Sequence, residues 1–268
     1  MTAGSRARFA ETLRSEHPDL GLACLLVGAE LHPDLDVDAA LRDLDELAHD
    51  AADDVPVGAT AQEAASGLRL ALGDRAGFRG FGDDYDDLRA SLLHEVLPRR
   101  RGLPILLSVV WLEVGRRLGV PVTGIGLPGH FVVGVAGAGS TVLVDPYNGG
   151  RLTSADELSS RTSEPLTRDD LRPWGAPEIV TRVLANIRAH AARHNALRVR
   201  LWAVELSLLV PQHSAALRRE RAQLLARLGD FVGAARALEE YAEILEPADG
   251  DAATMARREA KLVRSRLS

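Results

Sequence analysis

The chain has 268 residues, 46% of them hydrophobic and 26% charged, with a formal charge of −6. This length and balance suit one large or two modest globular units and exclude a disordered chain. The acidic excess excludes a non-specific nucleic-acid binder, which needs a surplus of basic side chains, and the Arg99-Arg100-Arg101 cluster is too local to reverse it.

The N-terminal stretch MTAGSRARFAETLRSEHPDL lacks an apolar core long enough for a signal peptide. Leu20, Cys24, Val27 and Leu31 recur at helical spacing, and His32-Pro33-Asp34 ends that helix. Cys24 is the only cysteine, which excludes an intrachain disulfide and points to a reducing compartment. Asp36 can cap the next helix, with Val37, Leu41, Leu44 and Leu47 as its apolar stripe. A third helix is expected from Ala61 to Leu72, with Gly73 as its left-handed end. Phe78 to Asp87 reads as an ordered loop, and Leu88 to Leu97 as a helix closed by Pro98.

From Pro104 to Leu118 the pattern is that of a deeply buried helix, with proline at its favourable first position. Its apolar run, the longest in the chain, is too short to span a membrane. The expectation is a cytoplasmic protein whose partners are neither membrane nor nucleic acid. Three strands follow, Val122 to Gly126, His130 to Val135 and Thr141 to Asp145, the last two joined by Ala136-Gly137-Ala138-Gly139. Pro146 to Gly150 is expected to end the sheet, and Arg151 to Ala176 to be polar and irregular.

Beyond Pro177 only helices are expected. Pro211 and Pro247 recur at a spacing close to the ~34-residue helical-hairpin repeat. Between them lie a helix from Ala215 to Leu228, a turn at Gly229-Asp230 and a helix from Phe231 to Leu245. The segment resembles a tetratricopeptide repeat, with Ala234 at the close helix crossing and Pro247 as terminator. A degenerate repeat from Glu178 to Pro211 and a capping helix from Ala252 to Leu267 complete the stack that a lone repeat needs.

A hairpin loop centred between Gly137 and Ala138 sets His130 directly opposite Asp145 on one face. There an imidazole N–H reaches a carboxylate, and the carboxylate orients the ring. On spacing alone the plainer description is preferred: a hairpin with one histidine, and an aspartate that merely opens a turn.

The motifs RRRGLPILLSVVWLEVGRRLGVPVTGIGLPGHFVVGV and VLVDPYNGG carry more. They are similar to a bacterial branch of the transglutaminase-like family with C-terminal tetratricopeptide repeats, a branch associated with a proposed role in virulence regulation. LHPDLDVDAALRDLDELA resembles that branch's helical lead-in, so the resemblance covers most of the chain. It implies an α+β fold: a helical N-terminal region, a cysteine-protease-like core with a small antiparallel sheet, and an all-α tetratricopeptide-like C-terminal region. The corresponding domains are 1–176 and 177–268. It also places His130 and Asp145 at the family's catalytic histidine and aspartate, and makes the loops bearing Gly129, Tyr147 and Asn148 candidates for lining a binding cleft.

In active relatives a cysteine opens the core helix, where the helix dipole stabilises its thiolate. Here that position falls near Pro104 to Leu106, with no nucleophile. The branch tends to carry Ser or Thr there, and here Leu106 and Leu107 replace even the hydroxyl. Two side chains are left as rescuers: Ser108, one turn deeper, and Cys24 on its apolar stripe, where a free cysteine ordinarily behaves as a small core residue. His94 invites a metal reading with His130 and Asp145, but that set lacks tight ligand spacing; His190 and His194 do stand four apart on a helix, yet without a third ligand or a Glu-x-x-His arrangement they read as a solvated helical face. No metal and no cofactor are expected.

Three functions stay open. The first is a non-catalytic module that binds a protein or peptide. The second is a cysteine- or serine-dependent amide hydrolase or acyltransferase with His130 as general base and Asp145 as its orienter. The third is a structural domain with a vestigial cleft.

Overall fold

The computed structural model describes residues 3–160, 165–167 and 169–265. The chain divides into two compact units, one running to Val183 and the other from Leu184. The fold is α+β, mostly helical, with one small antiparallel sheet in the first unit and a wholly helical second unit.

The first unit opens with helices α1 (Ala3–Arg14), α2 (Leu20–Leu31), α3 (Val37–Ala51), α4 (Ala61–Leu68), α5 (Leu93–Arg99) and α6 (Pro104–Arg117). Short polar side chains set the starts of α2, α3 and α4, because the first N–H groups of a helix have no partner within it. Asp19 accepts from Leu22 N at 2.8 Å, Asp36 from Ala39 N at 2.8 Å, and Thr60 forms a reciprocal capping box with Glu63. Helix α6 is the centre of the core: Pro104 through Trp111 are all buried, and the helix packs on α2, α3 and the sheet.

Strands β1 (Val122–Leu127), β2 (His130–Gly137), β3 (Ser140–Asp145) and β4 (Arg151–Thr153) form the sheet in that order, every pair antiparallel. Helix α7 (Ala155–Ser159) follows, and the unit ends in the first part of α8 (Ala176–Arg193). Pro146 to Gly150 does not end the sheet as expected. It is the loop of a hairpin, because β4 returns along β3 with Arg151 across from Asp145.

The β2–β3 register also differs from expectation. Gly137 pairs with Ser140 and Val133 with Val144, so the turn is centred between Ala138 and Gly139, one residue later. Both central residues have positive φ, 46° and 76°, the backbone of a type I′ turn, whose twist matches that of the strands it joins. The slip in pairing is two residues. His130 and Asp145 are therefore diagonal neighbours rather than direct partners, still on one face.

Two helix ends depart from the sequence reading as well. After Leu68 the chain widens into a π-helical segment, Arg69–Arg75, and Gly73 lies inside it rather than ending it. Glycine is required there for space: a Cβ would stand 2.0 Å from the Gly149 carbonyl oxygen. The left-handed residue is Gly77, at φ 78°. Pro98 does not close α5 either. It sits inside the last turn, and Arg100, at φ 56°, ends the helix.

The second unit holds the rest of α8 with α9 (Leu197–Ser207), α10 (Ala216–Arg227), α11 (Phe231–Leu245) and α12 (Gly250–Arg264). Helices α10 and α11 flank Gly229 at φ 87°, and Asp230 caps α11. Ala222, Ala234, Ala235 and Ala260 are buried where α10, α11 and α12 pack, since small side chains let helix axes approach closely. Helix α12 is the expected capping helix, and its expected end at Leu267 lies outside the described residues.

Candidate functional site

His130 opens β2 directly after the two-residue turn Pro128-Gly129, with Leu127 as its ladder partner. Gly129 has φ 71°, and a Cβ there would touch nothing, so conformation and not space explains the glycine. The side chain of His130 is 19% exposed, and its Nε2 lies 2.9 Å from Asp145 Oδ2. With the carboxylate on Nε2, that nitrogen carries a proton and donates it to Asp145, and Nδ1 is the ring nitrogen not used by the pair.

Asp145 ends β3, is 2% exposed and is held from several sides. Its Oδ1 accepts from Tyr147 N at 3.1 Å and Asn148 N at 3.4 Å, and its Oδ2 accepts from Asn148 Nδ2 at 2.7 Å. Burial alone would push the carboxyl up, but the His130 and Asn148 hydrogen bonds and the His130 charge outweigh it and hold Asp145 below the usual carboxylate range. The Asp-Pro-Tyr-Asn-Gly-Gly turn thus wraps its own first side chain. Gly149 and Gly150, at φ 67° and 79°, let the backbone do so.

Tyr147 stands edge-on to His130, ring centroids 6.1 Å apart and planes at 88°. Its other face rests on Gly80, where a Cβ would come within 1.9 Å of the ring, and Gly80 N donates to Tyr147 O at 2.8 Å. Burial first, then Tyr85, Asp84, Asp83 and Asp145, pushes the Tyr147 phenol up, so it stays a neutral donor. Leu127, Pro128, Gly129, His130, Tyr147, Asn148 and Leu158 line one cavity of ≈ 330 Å³. All the site residues expected from sequence are therefore gathered there except Asp145, which lies behind His130.

The segment under Tyr147 is held by a set of ion pairs that the sequence reading missed. Arg101 donates to buried Asp84 at 2.8 Å and to Asp83 at 2.6 Å, and lies over the Phe81 ring. Arg99 donates to Asp87 at 2.7 Å, and Arg79 N to Arg100 O at 3.1 Å. The signal was present as two complementary runs, aspartates at 83, 84, 86 and 87 and arginines at 99 to 101.

Residues 38–185 match the transglutaminase-like superfamily, and residues 187–267 match the tetratricopeptide repeat. A UPF0162 protein of Xylella fastidiosa is 32% identical over 246 residues, covering 87% of this chain and 86% of its own. The chain belongs to the UPF0162 family of transglutaminase-like proteins. A second family protein, from Pseudomonas aeruginosa, is 36% identical over 191 residues, 68% of each chain. The mouse F-box only protein 21 is 27% identical over 128 residues, 45% of this chain and 20% of that protein.

In this transglutaminase-like unit the head of the core helix is apolar: Pro104, Ile105, Leu106 and Leu107 are buried. Ser108 is also fully buried, its hydroxyl without a hydrogen-bond partner among the described residues. Cys24 is 1% exposed inside α2, and burial first, then Glu113 and Asp19, pushes its thiol up. His94 is not grouped with His130 and Asp145 but lies against His32, ring centroids 4.8 Å apart. His190 and His194 stack in the helical unit at 4.3 Å. Among the described residues no helix is long and apolar enough to cross a membrane.

Proposed function

We propose that this transglutaminase-like protein is a pseudoenzyme that binds a protein or peptide segment, using the His130 cavity to hold it and the tetratricopeptide tail to recruit the partner. One observation carries the reading: His130, Asp145, Tyr147 and Asn148 keep an ordered hydrogen-bonded frame around an open cavity, while the residues at the start of α6 are apolar. Tyr147, Asn148 and the Nδ1 of His130 offer hydrogen-bonding groups beside apolar Leu127 and Leu158, the mixture that orients a peptide ligand. The tail supports the same reading, since Met255 and Leu262, each 68% exposed, lie along a groove of ≈ 340 Å³ between α11 and α12.

A second reading, a hydrolase or acyltransferase, draws on the oriented His130–Asp145 pair, which is the arrangement of a general base. It needs Ser108 or Cys24 to reach His130 from a buried position. Displayed peptide libraries selected on the full chain separate the two. The binding module requires ligands that are bound unchanged, weakened by Tyr147→Ala or by Met255→Glu. Ligands cleaved or joined to the protein by wild type and spared by His130→Ala would overturn it in favour of the enzyme. Indifference to every one of these substitutions would overturn both.

A further inference from the structure

The end of α2 and the first turn of α5 bring three side chains together outside the His130 cavity. The donor atoms of His32, His94 and Glu95 all lie within 4.8 Å of one another. One carboxylate oxygen, Glu95 Oε1, stands 3.8 Å from His94 Nε2 and 3.9 Å from His32 Nε2. The two imidazoles meet edge to face, planes at 69°.

His94 is the unusual member. Its side chain is 8% exposed, and neither ring nitrogen has a hydrogen-bond partner among the described residues. Folding ordinarily satisfies buried polar atoms, so an imidazole with both nitrogens unpaired, aimed at a second imidazole and a carboxylate, calls for a further partner. The ring is also specifically housed. A Cβ on Gly28 would stand 2.2 Å from His94 Nδ1, so α2 carries a glycine mid-helix, at a cost in helix propensity, where the ring needs room.

We propose that His32, His94 and Glu95 bind a divalent transition-metal ion of the zinc type, with a fourth position open to water. Two imidazoles and a carboxylate are donors suited to zinc, whereas calcium and magnesium take oxygen ligands. A tetrahedral ion with bonds of about 2.0–2.1 Å places its donors roughly 3.3–3.4 Å apart. The two Glu95 separations, 3.8 and 3.9 Å, close to that by shifts of about half an ångström, and the imidazole pair, within 4.8 Å, closes by rotation of His32. His32, 47% exposed, and Glu95, 25% exposed, have room to make them. The ion would tie the C-terminus of α2 to α5 in the first unit.

The test is calorimetric titration of the full chain, stripped with a chelator, with zinc chloride, paired with thermal unfolding. The expected result is uptake of one zinc per chain and a raised Tm in its presence. His32→Gln, at a half-exposed position that leaves the core intact, and Glu95→Gln each weaken uptake by about 100-fold or more. His190→Gln with His194→Gln leaves uptake unchanged. Failure of wild type to take up zinc overturns the site. So does uptake that survives His32→Gln and Glu95→Gln, or uptake that disappears with the His190 and His194 pair.

Discussion

His130 Nε2 lies 2.9 Å from Asp145 Oδ2 although the two residues are not ladder partners. The β2–β3 register puts Val133 across from Val144, so the imidazole spans a diagonal to reach the carboxylate. The diagonal frees Asp145 to cap its own turn, and the turn in return delivers Asn148 Nδ2 to the same oxygen that His130 uses. Dyad and cavity wall are one hydrogen-bonded unit.

Acid stability follows from that unit. The folded Asp145 carboxyl titrates below its ordinary value of about 4, so on acidification the unfolded chain takes up this proton first. Its contribution is full above pH ~4 and is lost as the pH falls through the lower folded value. Asp145→Asn should lower stability by about 1–3 kcal/mol at neutral pH, because an amide cannot accept from every neighbour. It should also flatten the acid limb of a plot of stability against pH. Urea unfolding of both proteins across the acid range checks this, and parallel acid limbs would show that the carboxylate does not carry the dependence.

Gly80→Ala should act through Tyr147. The backbone at Gly80 does not have positive φ, so the cost comes from the ring that a Cβ would meet at 1.9 Å. Overpacking of this kind costs about 1–3 kcal/mol. In a Tyr147→Ala background the clash is gone, and Gly80→Ala should cost much less. A double-mutant cycle by thermal unfolding measures the difference, and simple additivity would rule out the contact.

The parts of this fold legible in the sequence are those encoded over short stretches. Asp36 announces α3, Pro104 opens α6, and Gly229-Asp230 separates α10 from α11. The His130–Asp145 pairing was legible despite the wrong turn centre, because side chains alternate along a strand and a two-residue slip in pairing preserves the face. The turn itself was misplaced because its first left-handed position is Ala138, not a glycine. Gly73 misled for the opposite reason: its glycine serves contact with Gly149, distant in sequence. The Arg101–Asp84 bond and the His32–His94–Glu95 cluster join distant segments and leave no periodic trace.

Glu113 should be the most costly polar side chain to remove from the first unit. It is 2% exposed on α6, accepts from Gly21 N at 3.1 Å, and pairs with Arg117, itself 13% exposed and bound to Asp45 of α3. Glu113→Ala leaves a half-compensated guanidinium and an unpaired N–H in the core, a loss of about 3–5 kcal/mol. Glu113→Gln keeps an acceptor for Gly21 and should lose less. Because the pair is shielded from solvent, raised salt should leave the difference in place. Urea unfolding at two ionic strengths decides it, and a Glu113→Ala midpoint equal to wild type would show that the cluster contributes nothing.

Cys24 gives the sharpest check on the nucleophile. Burial holds its thiol in the protonated form, and the thiolate is the reactive species. Iodoacetamide should therefore leave the folded chain unmodified at pH ~8, near the ordinary thiol pKa, and label one cysteine per chain only when denaturant is added. His130→Ala should not slow the reaction, since a buried thiol reacts by way of unfolding and not through the imidazole, and any stability lost with the His130–Asp145 bond can only speed it. Fast labelling of the native chain that His130→Ala slows would instead pair Cys24 with His130 and restore the cysteine-dependent enzyme. The two outcomes differ in both rate and dependence on His130, so an accidentally exposed thiol, fast but indifferent to the substitution, would not pass for catalysis.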